Sequence, residues 1–210
     1  MNKRELERRA YSFEVRADED GNIITGRPIV YNSRTNIGGM FDEVIARGAL
    51  DKTDLTDVRF LVNHDTSRIP LARSRRNNGS STMQLTVDSE GLAIRVQLDT
   101  ENNAEAAALY SAVRRGDISG MSFMYSVRSD EWSDLDTDHP TRTITSIESV
   151  VEVSAVTFPA YEDTDIEARD KEALESARSA VETARRSGER SLESDLELVK
   201  AKTLIIAGGY

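Results

Sequence analysis

The chain has 210 residues, contains no cysteine and carries 37 acidic against 27 basic side chains, a formal net charge of −10 at pH 7. This charge argues against non-specific binding to nucleic acid, and the lack of cysteine excludes disulfides, thiolate-bound zinc and a thiol nucleophile. No apolar run has the length of a signal peptide or a membrane-spanning helix, which predicts a soluble, cytoplasmic protein.

The composition of the chain changes sharply near residue 162. All four prolines lie before that point, as do all the aromatic residues except Tyr210. We therefore expect a globular body over residues 1–162. Residues 163–210 form a different kind of segment, a charged helical tail that is a targeting element, a scaffold-like extension or a linker.

The first half of the body is predicted to consist of strands. The alternating segments YSFEVRA and IITGRPIVYN flank the turn DEDGN and predict a β-hairpin. The segments DVRFLVNH, TMQLTV and LAIRVQL are further strands, and the turn DSEG joins the last two. In DVRFLVNH, strand alternation places one set of side chains on a common face: Val58, Phe60, Val62 and His64.

A helix is predicted over the alanine-rich segment TENNAEAAALYSAVRRG. Thr100 or Asn102 is the expected N-terminal cap, and Gly116 lies where a C-terminal glycine belongs. The strand RRGDISGMSFMYSV follows directly, and TRTITSIESVVEVSAVTF supplies one or two more. The body is therefore predicted to be a β-rich α+β domain, a barrel or a strongly curved sheet with a well-marked helix.

The tail is predicted to be helical and mostly solvated. The pairs Glu167–Lys171 and Glu182–Arg186 have the favourable i,i+4 order. Its apolar stripe is thin and consists mainly of alanine: Leu174, Ala177, Val181 and Ala184. Such a helix buries little surface, so we expect it to be solvated or to associate weakly. Gly188 interrupts it before a second short helix.

The chain has only two histidines, and the simplest interpretation of both is structural. His139 lies in the polar loop DLDTDHPT and is expected at the surface. His64 is expected at a strand end, hydrogen-bonded to Asp65 or Asn63. The sequence contains no recognisable spacing of metal ligands.

Strand alternation separates the serines of RRGDISGMSFMYSV into two groups, with Ser122 on one face and Ser119 on the other. In ESVVEVSAVTF, Glu152 shares a face with Ser154. Glu152 lies either on the solvent face or inside, where it needs a partner such as His64. A serine, a histidine and an acid can form a nucleophile–base relay, although the residues alone favour the simpler structural roles.

Three segments in order, RFLVNHD, RRGDISGMSFMYSV and VVEVSAVTFPAY, resemble the blocks of the tailed-phage prohead proteases, which are capsid maturation proteases. GRPIVYNS and FDEVIARGAL resemble early segments of the same family, and the resemblance covers roughly residues 10–162. It implies a fold similar to herpesvirus assemblin, a β-barrel surrounded by helices. It also implies a serine endopeptidase.

The resemblance assigns roles to individual residues. His64 in NHD matches the family's base, and Ser122 in MSF matches its nucleophile. Glu152 in EVS lies where the third catalytic residue is expected, with Ser154 and Glu148 as alternatives. The family's usual glycine after SF is Met124 here, which leaves the backbone donors to the oxyanion open.

The same resemblance implies partners and a location. The expected substrates are the scaffold, the N-terminal region of the major capsid protein and the protease itself, inside the immature capsid in the host cytoplasm. No cofactor, metal, nucleic acid or membrane is expected, and a homo-oligomer and the cleavage-site preference stay open. The alternative is a catalytically inactive, protease-like protein of capsid assembly.

Overall fold

The computed structural model describes residues 6–11, 15–18, 22–157, 171–183 and 186. This part of the chain is α+β and mostly β, with one α-helix in the body, α1 (Ala104–Arg115), a short 3₁₀ helix over Arg75–Asn77 and a C-terminal helix over 171–183. The strands are β1 (Glu7–Tyr11), β2 (Val15–Ala17), β3 (Ile23–Val30), β4 (Arg34–Ile37), β5 (Phe41–Ile45), β6 (Arg59–Val62), β7 (Ala72–Arg73), β8 (Met83–Val87), β9 (Gly91–Gln97), β10 (Gly120–Ser133) and β11 (Thr141–Val156).

The larger sheet has seven strands and is organised around β11. Its main order is β1-β10-β11-β5-β4, and β6 and β7 form a branch from β11. The 16-residue strand β11 pairs antiparallel with β10 along one edge. Its other edge pairs in parallel with β5 through Thr141–Ile144 and with β6 through Glu152–Ala155. The segment predicted to supply one or two strands after β10 is therefore a single strand, and it connects two parts of the sheet.

The smaller sheet confirms both predicted hairpins. It has the order β2-β3-β9-β8, and β2 pairs with β3 while β8 pairs with β9. The first predicted strand, YSFEVRA, shares only Tyr11 with β1, a strand that the sequence patterns did not predict. Val15–Ala17 stays in the hairpin, whereas the preceding strand β1 joins the larger sheet by pairing with β10.

The prediction of a barrel is wrong, because neither sheet closes on itself. Within the described residues, β1 and β4 end the main path of the larger sheet, and β2 and β8 end the smaller one. A barrel needs every strand to pair on both edges. Here β11 divides its second edge between β5 and β6, so the sheet branches instead of continuing around a closed ring. Irregular pairing along β10 between Met124 and Asp130 accompanies this open arrangement.

Helix α1 forms where the alanine-rich segment predicts it, but it begins at a different cap. Asn103, not Thr100 or Asn102, accepts hydrogen bonds from the backbone N–H groups of Glu105 and Ala106. Gly116 ends the helix with φ 79°, in the left-handed region that glycine adopts readily. The helix buries one apolar stripe in the main core: Ala106, Leu109, Tyr110 and Val113.

The C-terminal helix contacts the body through a short patch. Leu174 is buried in a small apolar cluster with Ile37 and Phe41, and the Arg178 guanidinium donates to the carbonyl oxygen of Thr137 at 3.1 Å. Val181 is half exposed, so the apolar stripe of this helix is only partly buried against the body. No helix in the described part of the chain combines the length and apolar character needed to cross a bilayer.

Candidate active site

His64 lies in a tight turn directly after β6, not on the strand face that alternation predicts. Both Asn63 and His64 have positive φ angles, 50° and 57°. The turn is held to the end of β11 by paired hydrogen bonds between Asn63 and Thr157, at 3.0 and 2.9 Å. Because of this left-handed turn, the His64 side chain turns back over β11.

The imidazole of His64 contacts Glu152, and the predicted hydrogen bonds to Asp65 or Asn63 are not the ones it makes. The distance between His64 Nδ1 and Glu152 Oε1 is 2.5 Å, and Glu152 is only 2% exposed. The interpretation of Glu152 as a solvent-facing residue is therefore wrong. With Glu152 ionised, Nδ1 carries the hydrogen and Nε2 is the ring nitrogen able to accept a proton.

Ser154 connects the backbone of His64 to the same carboxylate. Its hydroxyl donates to Glu152 Oε2 at 2.6 Å and accepts the backbone N–H of His64 at 3.1 Å. Both oxygens of the buried Glu152 carboxylate therefore have a donor. This arrangement offsets the cost of burying the charge, and it fixes the orientation of the imidazole.

Ser122 lies on the strand next to this group. Its register partner across β10 and β11 is Ser154, which places the two side chains on one face as close neighbours. Ser122 has no exposed surface, and its hydroxyl donates to the backbone carbonyl oxygen of Arg9 at 2.7 Å. No hydrogen bond between Ser122 and His64 is formed in the described structure.

The other predicted residues occupy separate places. Ser119 is exposed and precedes β10, and Ser126 is buried and shares a 2.8 Å hydrogen bond with Ser149. Glu148 lies four residues before Glu152, where its backbone oxygen accepts from Asp54. His139 is at the surface, as predicted, and its Nε2 lies 2.9 Å from Asp42.

A groove of about 440 Å³ opens beside the His64 turn, between that turn and α1. Its wall is mainly apolar: Leu61, Leu71, Ala108, Leu109, Ala112 and Ile118. Arg68 and Glu105 form an ion pair at its rim. Sequence patterns did not indicate this groove, because it is formed by segments that are far apart in the chain.

A second buried polar group lies in the same sheet and was also missed by the sequence patterns. Glu43 is fully buried, and its carboxylate accepts from the Arg9 guanidinium at 2.6 and 2.9 Å and from Arg142 at 3.1 Å. Glu7 contacts both arginines, and the Tyr125 hydroxyl donates to Glu43 at 3.2 Å. We call these five residues the arginine cluster.

The charges of the arginine cluster determine the protonation of Glu43. Burial on its own raises the pKa of this carboxyl, but the charge and hydrogen bonds of Arg9, with Arg142 and Tyr125, lower it below the ordinary value. Glu43 is therefore ionised at neutral pH. One sequence signal could have indicated it, since alternation in FDEVI places Glu43 on the same face as Phe41 and Ile45, both of which are buried.

Comparison with known proteins places this chain in a family. Residues 11–178 match the model of the caudovirus prohead serine protease. The chain is 29% identical over 160 residues to the prohead protease of Enterobacteria phage HK97, a match that covers 74% of this chain and 64% of that protein's length. A solved structure, the bacteriophage T4 capsid assembly protease, aligns with a TM-score of 0.42 and 12% identity over 74% of this chain and 99% of that one. The chain belongs to the caudovirus prohead serine protease family.

Proposed function

We propose that this member of the caudovirus prohead serine protease family is a serine endopeptidase of phage capsid maturation. Ser122 is the nucleophile, His64 is the base and Glu152 is the third residue of the relay. The observation that supports this proposal best is the contact between His64 Nδ1 and the buried Glu152, on the strand beside Ser122. The resemblance to the family independently suggests Ser122 and His64, and it includes Glu152 among three candidates for the acid.

Each residue has a distinct chemical task in the proposed reaction. The oxygen of Ser122 attacks the carbonyl carbon of the peptide bond while its proton passes to Nε2 of His64. Glu152 accepts the hydrogen bond from Nδ1 and stabilises the imidazolium that forms. The imidazolium then protonates the leaving amine, and a water molecule hydrolyses the acyl-serine ester by the same relay.

Ser154 is a positioning residue in this proposal. Its hydroxyl contacts the second oxygen of Glu152 and the backbone of His64, so it holds acid and base in one orientation. The contact between His64 and Glu152 favours Glu152 over Glu148 and Ser154 as the acid, since a serine hydroxyl carries no charge to stabilise an imidazolium.

The proposed substrates are the scaffold, the N-terminal region of the major capsid protein and the protease itself, inside the immature capsid. The match to the prohead serine protease family and to the HK97 prohead protease supports this class of substrate. The mainly apolar groove beside the His64 turn is a suitable place for an apolar side chain of the substrate.

A time course of self-cleavage and of capsid-protein cleavage, followed by mass spectrometry, tests the proposed activity. We expect Ser122→Ala to abolish both reactions and Ser119→Ala to retain both, because Ser119 is exposed and lies outside the His64 group. Normal processing by Ser122→Ala would refute the assignment. An intact wild-type chain in the presence of both substrates would favour the inactive assembly protein instead.

We further propose that the body, residues 1–162, is the protease domain and that the tail, residues 163–210, directs it to the assembling shell. Because Leu174 packs against Ile37 and Phe41, the truncation that tests targeting must retain the helix 171–183. Removal of residues 187–210 is expected to leave peptide cleavage intact and to reduce the copy number in proheads. Normal copy number would identify this segment as a linker.

A further inference from the structure

The N-terminal strand β1 covers one edge of the strand that carries Ser122. It pairs antiparallel with β10 over five residues, from Glu7 opposite Tyr125 to Tyr11 opposite Met121. The other edge of β10 is occupied by β11. Without β1, the N–H and C=O groups along the Ser122 strand would be open to pairing with another extended chain.

The contact between β1 and Ser122 holds the hydroxyl away from its catalytic arrangement. Ser122 donates its proton to the carbonyl oxygen of Arg9, a backbone group in the middle of β1. In the proposed reaction this proton goes to His64, and the serine oxygen approaches a carbonyl carbon. β1 is therefore held beside the nucleophile as an extended peptide, in an arrangement in which it is not attacked.

The side chain of Arg9 anchors β1 in a buried acidic site. It is 5% exposed and makes two hydrogen bonds to Glu43, which is fully buried. Glu7, two residues earlier on β1, makes bonds of 2.8 and 3.0 Å to Arg142 of β11. A planar guanidinium fits this paired geometry on a carboxylate better than other side chains do.

We propose that β1 occupies the place of the substrate strand, and that Glu43 recognises a basic side chain of the substrate at the position of Arg9. An extended peptide adds to the edge of β10 after β1 leaves, which is the usual way in which a sheet edge binds a chain. The described conformation is then closed to substrate. The proposal rests on the proposed function, because it takes Ser122 as the nucleophile.

The first test measures peptide binding rather than cleavage. The probe is a fluorescent peptide LERRAY, the sequence of residues 6–11, added to the full chain carrying Ser122→Ala. Adding Arg9→Ala removes the anchor of β1, while Glu43 keeps Arg142 and Tyr125 as partners. We expect the affinity for the probe to rise about tenfold with Arg9→Ala. Arg8→Ala, a change of an exposed arginine on the same strand, is the matched control.

The peptide itself tests the role of Glu43. Replacing the second arginine of the probe, giving LERAAY, is expected to weaken binding about tenfold or more, because Glu43 loses its charge-assisted hydrogen bonds. Replacing the first arginine, giving LEARAY, is the matched control and is expected to have a small effect. Equal binding of all three peptides would refute recognition by Glu43.

A reversible lock tests whether β1 must leave. Arg8 and Met124 are register partners, and opposite residues on antiparallel strands lie within disulfide range. The chain has no cysteine, so Arg8→Cys with Met124→Cys creates one defined pair. We expect the oxidised chain to lose probe binding and dithiothreitol to restore it. The single variant Met124→Cys is the control and is expected to be insensitive to dithiothreitol.

The outcomes separate this proposal from the proposed function. Probe binding that is unchanged by oxidation, or absent even with Arg9→Ala, overturns the role of β1. The disulfide variant, Arg8→Cys with Met124→Cys, is then assayed for cleavage in a chain that retains Ser122. Cleavage at equal rates in both redox states would support the proposed peptidase activity and refute the closed state. If probe binding depends on the redox state but no cleavage occurs, the result would support the substrate site at β10 and refute the peptidase activity.

Discussion

Glu152 and Glu43 are both buried in the seven-stranded sheet, but they have different partners. Glu152 is bound by the imidazole of His64 and the hydroxyl of Ser154, whereas Glu43 is bound by the guanidinium groups of Arg9 and Arg142. An arginine keeps its proton at any physiological pH, so the Glu43 site is fixed in charge. The imidazole of His64 has a second ring nitrogen, Nε2, that can take up a proton while Nδ1 contacts Glu152, which is what the proposed relay requires.

The comparison shows that burial of a carboxylate does not identify its role. The partner decides whether a buried acid holds strands together or supports chemistry. In this sheet the arginine cluster joins β1, β5, β10 and β11, while Glu152 and Ser154 join β11 to the turn after β6. Substitutions at the two sites are therefore expected to affect different measurements.

The largest effect is expected from His64→Ala. Loss of the base should reduce peptide cleavage as much as Ser122→Ala does, by about 10⁴-fold or more, because base and nucleophile act as one unit. For the same reason the double substitution should be no slower than either single one. Cleavage rates of the three variants on one peptide test this. Additive losses would show that His64 and Ser122 act separately.

Glu152→Gln is expected to slow turnover while the fold is kept. The amide oxygen still accepts from His64, but it does not stabilise the imidazolium, and a loss of about 10²- to 10⁴-fold in kcat is expected. Circular dichroism and urea denaturation should remain close to wild type. Full activity of this variant would transfer the third catalytic role to Ser154 or Glu148.

Glu43→Gln is expected to show the opposite profile, with a clear loss of stability. Removing one partner of a buried ion pair costs about 3–5 kcal/mol, since Arg9 and Arg142 remain buried with less compensation. Urea denaturation at pH 7 measures the change. Glu90→Gln is the matched control, because Glu90 pairs with Arg27 in an exposed position. A loss of stability as small as that of the control would show that the arginine cluster does not stabilise the sheet.

The stability difference between wild type and Glu43→Gln is expected to depend on pH in one direction. The pKa of Glu43 is lowered in the folded chain, so its ionised form stabilises the fold above the ordinary glutamate value of 4.5. That contribution is lost as the pH falls below 4.5 towards the lowered pKa. Urea midpoints of both chains between pH 7 and pH 3 should therefore converge on acidification. A constant difference would refute the charge argument.

The smallest effect is expected from His139→Ala. This second histidine also contacts an acid, Asp42, but its side chain is 39% exposed. Burial raises the pKa of Asp42, yet its hydrogen bonds to Arg34 and His139 lower it overall. Because Arg34 remains after the substitution, we expect a loss of about 1 kcal/mol or less and normal cleavage. A marked loss of cleavage would place His139 near the chemistry.

Much of the fold was predictable from the sequence, which also named the three residues of the proposed relay as candidates. The two hairpins follow from local alternation and turn residues, and α1 ends at Gly116 because glycine adopts the left-handed cap at little cost. The resemblance to the prohead proteases indicated Ser122 and His64, and it indicated Glu152 with Ser154 and Glu148 as alternatives. These features depend on short contiguous segments, which can be recognised in a sequence without knowledge of the fold.

Only the tertiary structure decided which strands meet. Strand β1 was not predicted, yet it pairs with the strand of Ser122, where the arginine cluster binds Arg9 through residues far along the chain. Of the predicted strand YSFEVRA, Val15–Ala17 forms the hairpin strand β2. The left-handed turn after β6 brings His64 onto Glu152, 88 residues later. Alternation gives the face of a side chain on its own strand, but the partner on that face is determined by long-range pairing, which no local pattern encodes.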